Sequence, residues 1–93
     1  PRFMDLTSVA SDKAAMQAVA EGKSRLSNQF ARNLLLGESN STTDLVTKAT
    51  NSLGDAGDYK LKYSRSTGSQ IKIVASGVGS VKGTNSSLWT KPQ

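Results

Sequence analysis

Ninety-three residues make one domain with a thin core, because a chain this short buries a smaller share of its surface than a larger one. Hydrophobic residues make up 35% and aromatics 5%, and the lack of cysteine and histidine excludes a disulfide framework, a thiolate metal site and the commonest general base and metal ligand. Twelve Lys and Arg against seven Asp and Glu leave a net charge of +5, scattered without a basic run, which reads first as solubility and second as a preference for anionic partners.

The chain opens directly on a helical pattern. Pro1 suits a first helical turn, where its missing N–H is not needed. The periodicity predicts one helix over 1–36, stopped by Gly37 at the C′ position. Such a helix, about 50 Å long, is roughly three times the usual length, and the remaining chain is too small to cover it. Much of its apolar face should therefore belong to an assembly. Met16, Val19, Lys23, Leu26, Phe30 and Leu34 recur at spacings of three and four, and Val9 extends the stripe. Lys23 interrupts it, with an alkyl stem that can lie along apolar surface. Ala10, Ala14, Ala15, Ala18, Ala20 and Ala31 add helix propensity, whereas Gly22 costs about 1 kcal/mol relative to Ala and marks a bend or a close contact. Phe3, Met4, Leu6 and Val9 form a second apolar cluster. They either cover one end of the core or project beyond a small head and pack against other copies. The second reading makes them the candidate assembly interface. A start at Pro1 inside a helical pattern reads as a trimmed chain, by natural processing or by deliberate shortening.

Residues 37–58 form a connecting segment. Ser41-Thr42-Thr43-Asp44 fits a capping box, and Leu45, Val46, Ala49 and Leu53 follow at helical spacing, predicting a short helix over 42–53 stopped by Gly54. Asp55-Ala56-Gly57-Asp58 reads as a turn. Residues 59–93 predict an antiparallel sheet. In Tyr59–Ser64, Tyr59, Leu61 and Tyr63 face inward and Lys60 and Lys62 face water. Arg65–Ser69 is the hairpin loop, and Gln70–Ala75 the partner strand with Ile71, Ile73 and Ala75 inward. Ser87–Thr90 is a last short strand, and Pro92 marks an edge. No apolar run approaches the ~18 residues of a membrane span.

Little here supports catalysis. Without His, only Lys, Tyr or carboxylates remain as bases, and none sits in a motif. Gly77-Val78-Gly79 lacks the helix that a phosphate loop requires and reads as a turning strand. Asn51, Asp55 and Asp58 offer oxygens to a cation without an EF-hand spacing and read as turn residues. Asn40-Ser41-Thr42 and Asn85-Ser86-Ser87 match the short glycosylation pattern. Lys60, Lys62 and Lys72, with Arg65 at the hairpin tip, form a candidate basic surface for nucleic acid. Tyr59 and Tyr63 point the other way and leave it without a stacking platform, so a solvated sheet face is the favoured reading.

The opening Pro1-Arg2-Phe3-Met4-Asp5-Leu6 at the head of an Ala-rich amphipathic helix resembles type IV pilins and pseudopilins, above all pilins of the mannose-sensitive haemagglutinin type. In that family a hydrophobic N-terminal segment, cleaved and methylated by prepilin peptidase, leads into a junction of this kind. The resemblance covers Pro1 to about Gly37 in sequence and the remainder in layout, including a Trp near the C-terminus. It implies that the membrane-spanning half of the helix precedes Pro1. Many pilins close their C-terminal region with a disulfide, which this chain lacks, and the calcium-site sequence of the major pseudopilin is not visible.

Together these readings predict one α+β domain: a long N-terminal helix packed on a three- to four-stranded antiparallel sheet, with Leu26, Phe30 and Leu34 meeting Tyr59, Leu61, Ile71 and Ile73. The resemblance implies a structural subunit of a pilus or related filament on the bacterial surface, held in the inner membrane before assembly. Its partners would be other pilin subunits, and it would have no cofactor, small-molecule substrate or turnover. The alternatives are a minor pseudopilin of a type II secretion system and a small basic nucleic-acid-binding module.

Overall fold

The computed structural model describes residues 2–92, with side chains described from Lys13 onward. Helix α1 spans Arg2–Leu36 and α2 spans Thr42–Ser52, followed by strands β1 (Asp55–Ala56), β2 (Tyr59–Arg65), β3 (Gln70–Gly77) and β4 (Thr84–Thr90). The strands form one antiparallel sheet in chain order, β1-β2-β3-β4. Helix α1 crosses β3 and β4 and reaches β2, while α2 sits on β2. The architecture is thus α+β, with both helices on one face of the sheet. No helix of the described residues is long and apolar enough to cross a membrane.

Local chemistry fixes the element ends. Gly37 has φ 69°, and Glu38 N donates to Asn33 O at 2.8 Å while Gly37 N donates to Leu34 O at 3.4 Å, the paired bonds of a Schellman cap. Ser41 caps α2, its hydroxyl accepting from Asp44 N at 3.2 Å. The reciprocal half of a capping box is not formed, since Ser41 N donates to Ser39 Oγ. Gly54 is not the stop predicted for α2. The helix ends at Ser52, and Leu53 at the C-cap donates its N–H to Ala49 O at 2.8 Å with Gly54 outside the left-handed region.

The predicted turn at 55–58 is tighter than a loop. Asp55 and Ala56 pair with Lys60 and Tyr59 across Gly57-Asp58, which adds β1 to the sheet. β4 begins three residues earlier than predicted, because Asn85, Ser87 and Trp89 alternate inward and carry the ladder back to Thr84.

The core contains Ala15, Val19 and Leu26 of α1, Leu45 and Ala49 of α2, and Tyr59, Leu61, Tyr63, Ile71, Ile73, Ala75 and Trp89 of the sheet. This corrects the stripe read from the sequence. The buried line along α1 runs Ala15, Val19, Gly22, Leu26 and Asn33, and Ala18 is buried beside it. Met16 is 52% and Leu34 63% exposed, and Phe30 is only half-buried. Small residues take the central positions because the helix lies close on the sheet. A Cβ added at Gly22 would stand 3.0 Å from Ile73 Cγ2 and 3.2 Å from Leu61 Cδ1. Of the two readings of Gly22, the close contact is the one observed.

Candidate interaction surfaces

Three side-chain clusters hold the helices to the sheet or its end, and a fourth caps α2. Near the C-terminal end of α1, the fully buried Asn33 accepts from Gln29 Nε2 at 2.7 Å and Lys48 Nζ at 3.1 Å. Its Nδ2 donates to Ser39 O at 3.2 Å and Asn40 Oδ1 at 3.0 Å. Lys48 also pairs with Glu38, and Lys91 Nζ donates to Asn40 O at 3.2 Å. Sequence reasoning missed this network, since an Asn at a helical core position is indistinguishable from a surface one.

On the adjoining edge, Trp89 Nε1 donates to Ser27 Oγ at 3.0 Å, and its ring meets Phe30 at a centroid distance of 6.3 Å and a tilt of 60°. On the other flank, Arg25 donates to the carbonyls of Leu53 and Asp55 and pairs with Glu21 at 3.2 Å. Tyr63 OH donates to Leu53 O at 2.7 Å. Burial pushes the Tyr63 phenol above its ordinary pKa. The fourth cluster is the α2 cap. Hydrogen bonds from the Ser39 hydroxyl, then the Ser41 hydroxyl, hold the Asp44 carboxyl below its ordinary range, with Lys48 adding a smaller attraction.

The candidate basic surface divides. Lys60, Lys62 and Lys72 are exposed on the sheet face opposite the helices, interspersed with Ser64, Val74 and Ser76. Lys60 stands 3.8 Å from Asp55 across the β1–β2 pair. Arg65 does not join them. β2 continues through Arg65, whose parity groups it with Leu61 and Tyr63 on the helix side, and its Nε donates to Thr42 Oγ1 at 3.1 Å. Thr42 in turn donates to Thr67 O at 3.1 Å, so Arg65 ties the hairpin to the start of α2. No aromatic ring shares the lysine face among the described residues.

The candidate assembly residues Phe3, Met4, Leu6 and Val9 belong to α1, but their side chains lie outside the described residues. Exposed apolar surface is instead visible further along the helix, at Met16, Leu34, Leu35 and Leu36. Asn51, Asp55 and Asp58 form no visible cation cage: among the described residues no three acidic side chains gather, and Asp55 and Asp58 serve the β1–β2 hairpin. No family model matches the chain, and no curated protein or solved structure shows significant similarity to it.

Proposed function

We propose that this chain is a structural subunit that assembles with copies of itself through α1, as the subunit of a type IV pilus or a related filament. One observation carries the reading. On the side of α1 away from the sheet, beyond the exposed Lys13, Ala20, Ser24, Asn28, Ala31 and Leu35 form an exposed row without a charge. A solvated helix normally places charged residues there, whereas small and apolar ones let a second helix approach. Met16 and Leu34 flank the row with exposed apolar surface.

On this reading the helices bundle in the filament core and the lysine face of the sheet points outward. An apolar segment preceding this part of α1 holds the subunit in the inner membrane before assembly, and the filament stands on the bacterial surface. A minor pseudopilin of a secretion system would use the same geometry. We assign the chain no turnover. The nucleic-acid alternative is weakened by the departure of Arg65 from the lysine face. Replacing Ala20 and Ala31 with Glu in cells making the full-length subunit tests the proposal. Filaments should be lost while the circular dichroism of the 93-residue chain stays unchanged, and normal filament yield would refute it.

A further inference from the structure

The two edges of the sheet are finished differently. In the order β1-β2-β3-β4, β1 and β4 lie outermost. An open edge invites pairing with another chain, and proteins blunt it with a short strand, a charge, a proline or a bulge. β1 is two residues long and carries Asp55. β4 has none of these devices: Thr84–Thr90 holds no charge and no proline, and its register with β3 is unbroken. The ladder also fixes which backbone groups are free. One step beyond each end of that register, Gly77 N donates to Gly83 O at 3.1 Å and Lys91 N to Ser69 O at 2.7 Å. Hydrogen-bonded pairs alternate along an antiparallel ladder. Asn85, Ser87 and Trp89 therefore bond to β3, while the N–H and C=O of Thr84, Ser86, Leu88 and Thr90 point to the open edge. Among the described residues no hydrogen bond reaches those groups. α1 lies on the face of the sheet, with Gly22 against Leu61 and Ile73 and Ser27 against Trp89, and leaves this edge uncovered.

We propose that β4 is a pairing edge whose occupant is β4 of a second copy of this chain. The other outermost strand, β1, is too short to match it, so a copy presents a complementary row of groups only from its own β4. Antiparallel pairing about a two-fold axis at Ser87 sets Thr84 opposite Thr90 and Ser86 opposite Leu88. Every free N–H along the strand then meets a free C=O, and a shift to either side leaves some unmet. The uncharged strand brings no like charges face to face, and at its end Lys91 is turned to Asn40 O. The β3 strands that carry Lys72 stay about 14 Å apart, three strand spacings, beyond the screening length of about 8 Å in physiological salt. The contact is isologous and closes on a pair. It runs the two α1 helices in opposite directions, so it joins free heads or neighbouring filaments, not successive subunits of one filament, and does not rest on the filament reading. Edge pairing buries little area, which makes it a contact of high local concentration.

The chain carrying Ala20→Glu and Ala31→Glu is the background for the test, because it lacks the association proposed for α1. As its concentration rises to the millimolar range, amide exchange followed by NMR should slow several-fold at Thr84, Ser86, Leu88 and Thr90. It should change far less at Asn85, Ser87 and Trp89, whose N–H groups already bond to β3. No native cysteine interferes with a second readout. Ser86→Cys mixed with Leu88→Cys should form a mixed disulfide on mild oxidation, since opposed residues of a hydrogen-bonded pair stand about 5.5 Å apart at Cα, within bridging range. Ser86→Pro removes an outward N–H and spares the bonds to β3, so it should abolish pairing while circular dichroism stays unchanged. If that variant fails to fold, Ser86→Glu with Leu88→Glu gives the same reading, by opposing like charges across the pair beside Lys72 of each copy. Exchange at the four amides that ignores concentration overturns the proposal, and so do 86–86 or 88–88 links that outnumber 86–88. Pairing in this background stands whether or not the full-length subunit makes filaments, and normal filaments from it refute the α1 reading alone.

Discussion

Gly22 lies directly against Ile73, so closely that a methyl group fits only if Ile73 gives by a few tenths of an ångström: a Cβ there would stand 3.0 Å from Ile73 Cγ2. Ile73 is fully buried and has little freedom to give way. Gly22→Ala gains about 1 kcal/mol of helix propensity but incurs overpacking of about 1–3 kcal/mol. The net expectation is a modest loss, read as a lower midpoint in urea. Gly22→Leu should be far worse, and a Gly22→Leu variant as stable as the parent would show that α1 does not sit this close to the sheet.

Asn33 should matter more than its polarity suggests. Asn33→Leu removes four hydrogen bonds and strands the groups around Asn40 and Lys48. Each buried group left unsatisfied costs about 1–3 kcal/mol. Chemical denaturation should show a loss in that range or above it, whereas Asn28→Leu, at an exposed position of the same helix, should be nearly silent.

Phe30 and Leu34 separate the observed stripe from the one read in the sequence. Full burial of a Phe makes its truncation cost about 3–5 kcal/mol. Phe30 is half-buried against Trp89, so Phe30→Ala should fall at or below the low end. Leu34→Ala should stay within about 0.5 kcal/mol of the parent. Equal losses at the two positions would contradict the rotation of the helix seen here.

Asp44 gives the stability a pH dependence. Its folded carboxyl titrates below the ordinary 3.8 because the Ser39 and Ser41 hydroxyls bond to it. The unfolded chain therefore takes up this proton first as pH falls. The stabilisation is present above the unfolded value and is lost as pH drops through the folded one. Asp44→Asn should flatten the decline of stability below about pH 4, and an NMR titration of Asp44 at its ordinary value would exclude this source.

Phe3 and Leu6 test assembly at the start of α1. Changing both to Ser should preserve the fold of the 93-residue chain and sharply reduce filament yield in cells making the full-length subunit. Normal yield would remove them from the interface, and loss of the fold would place them in the core.

Much of the local architecture was legible in the sequence because it depends on neighbours along the chain. Gly37 as a helix stop, Ser41 as a cap and the alternation of Tyr59, Leu61 and Tyr63 follow from backbone conformation and period alone. The tertiary structure decided what depends on distance between elements. Close approach of α1 to the sheet put Ala15, Gly22 and Asn33 at the centre and turned Met16 and Leu34 outward, although size and hydropathy favoured the opposite. One further residue of pairing in β2 carried Arg65 to the helix side and broke the basic patch. Periodicity states which residues share a face, but the depth to which that face sinks is set by the surface it meets.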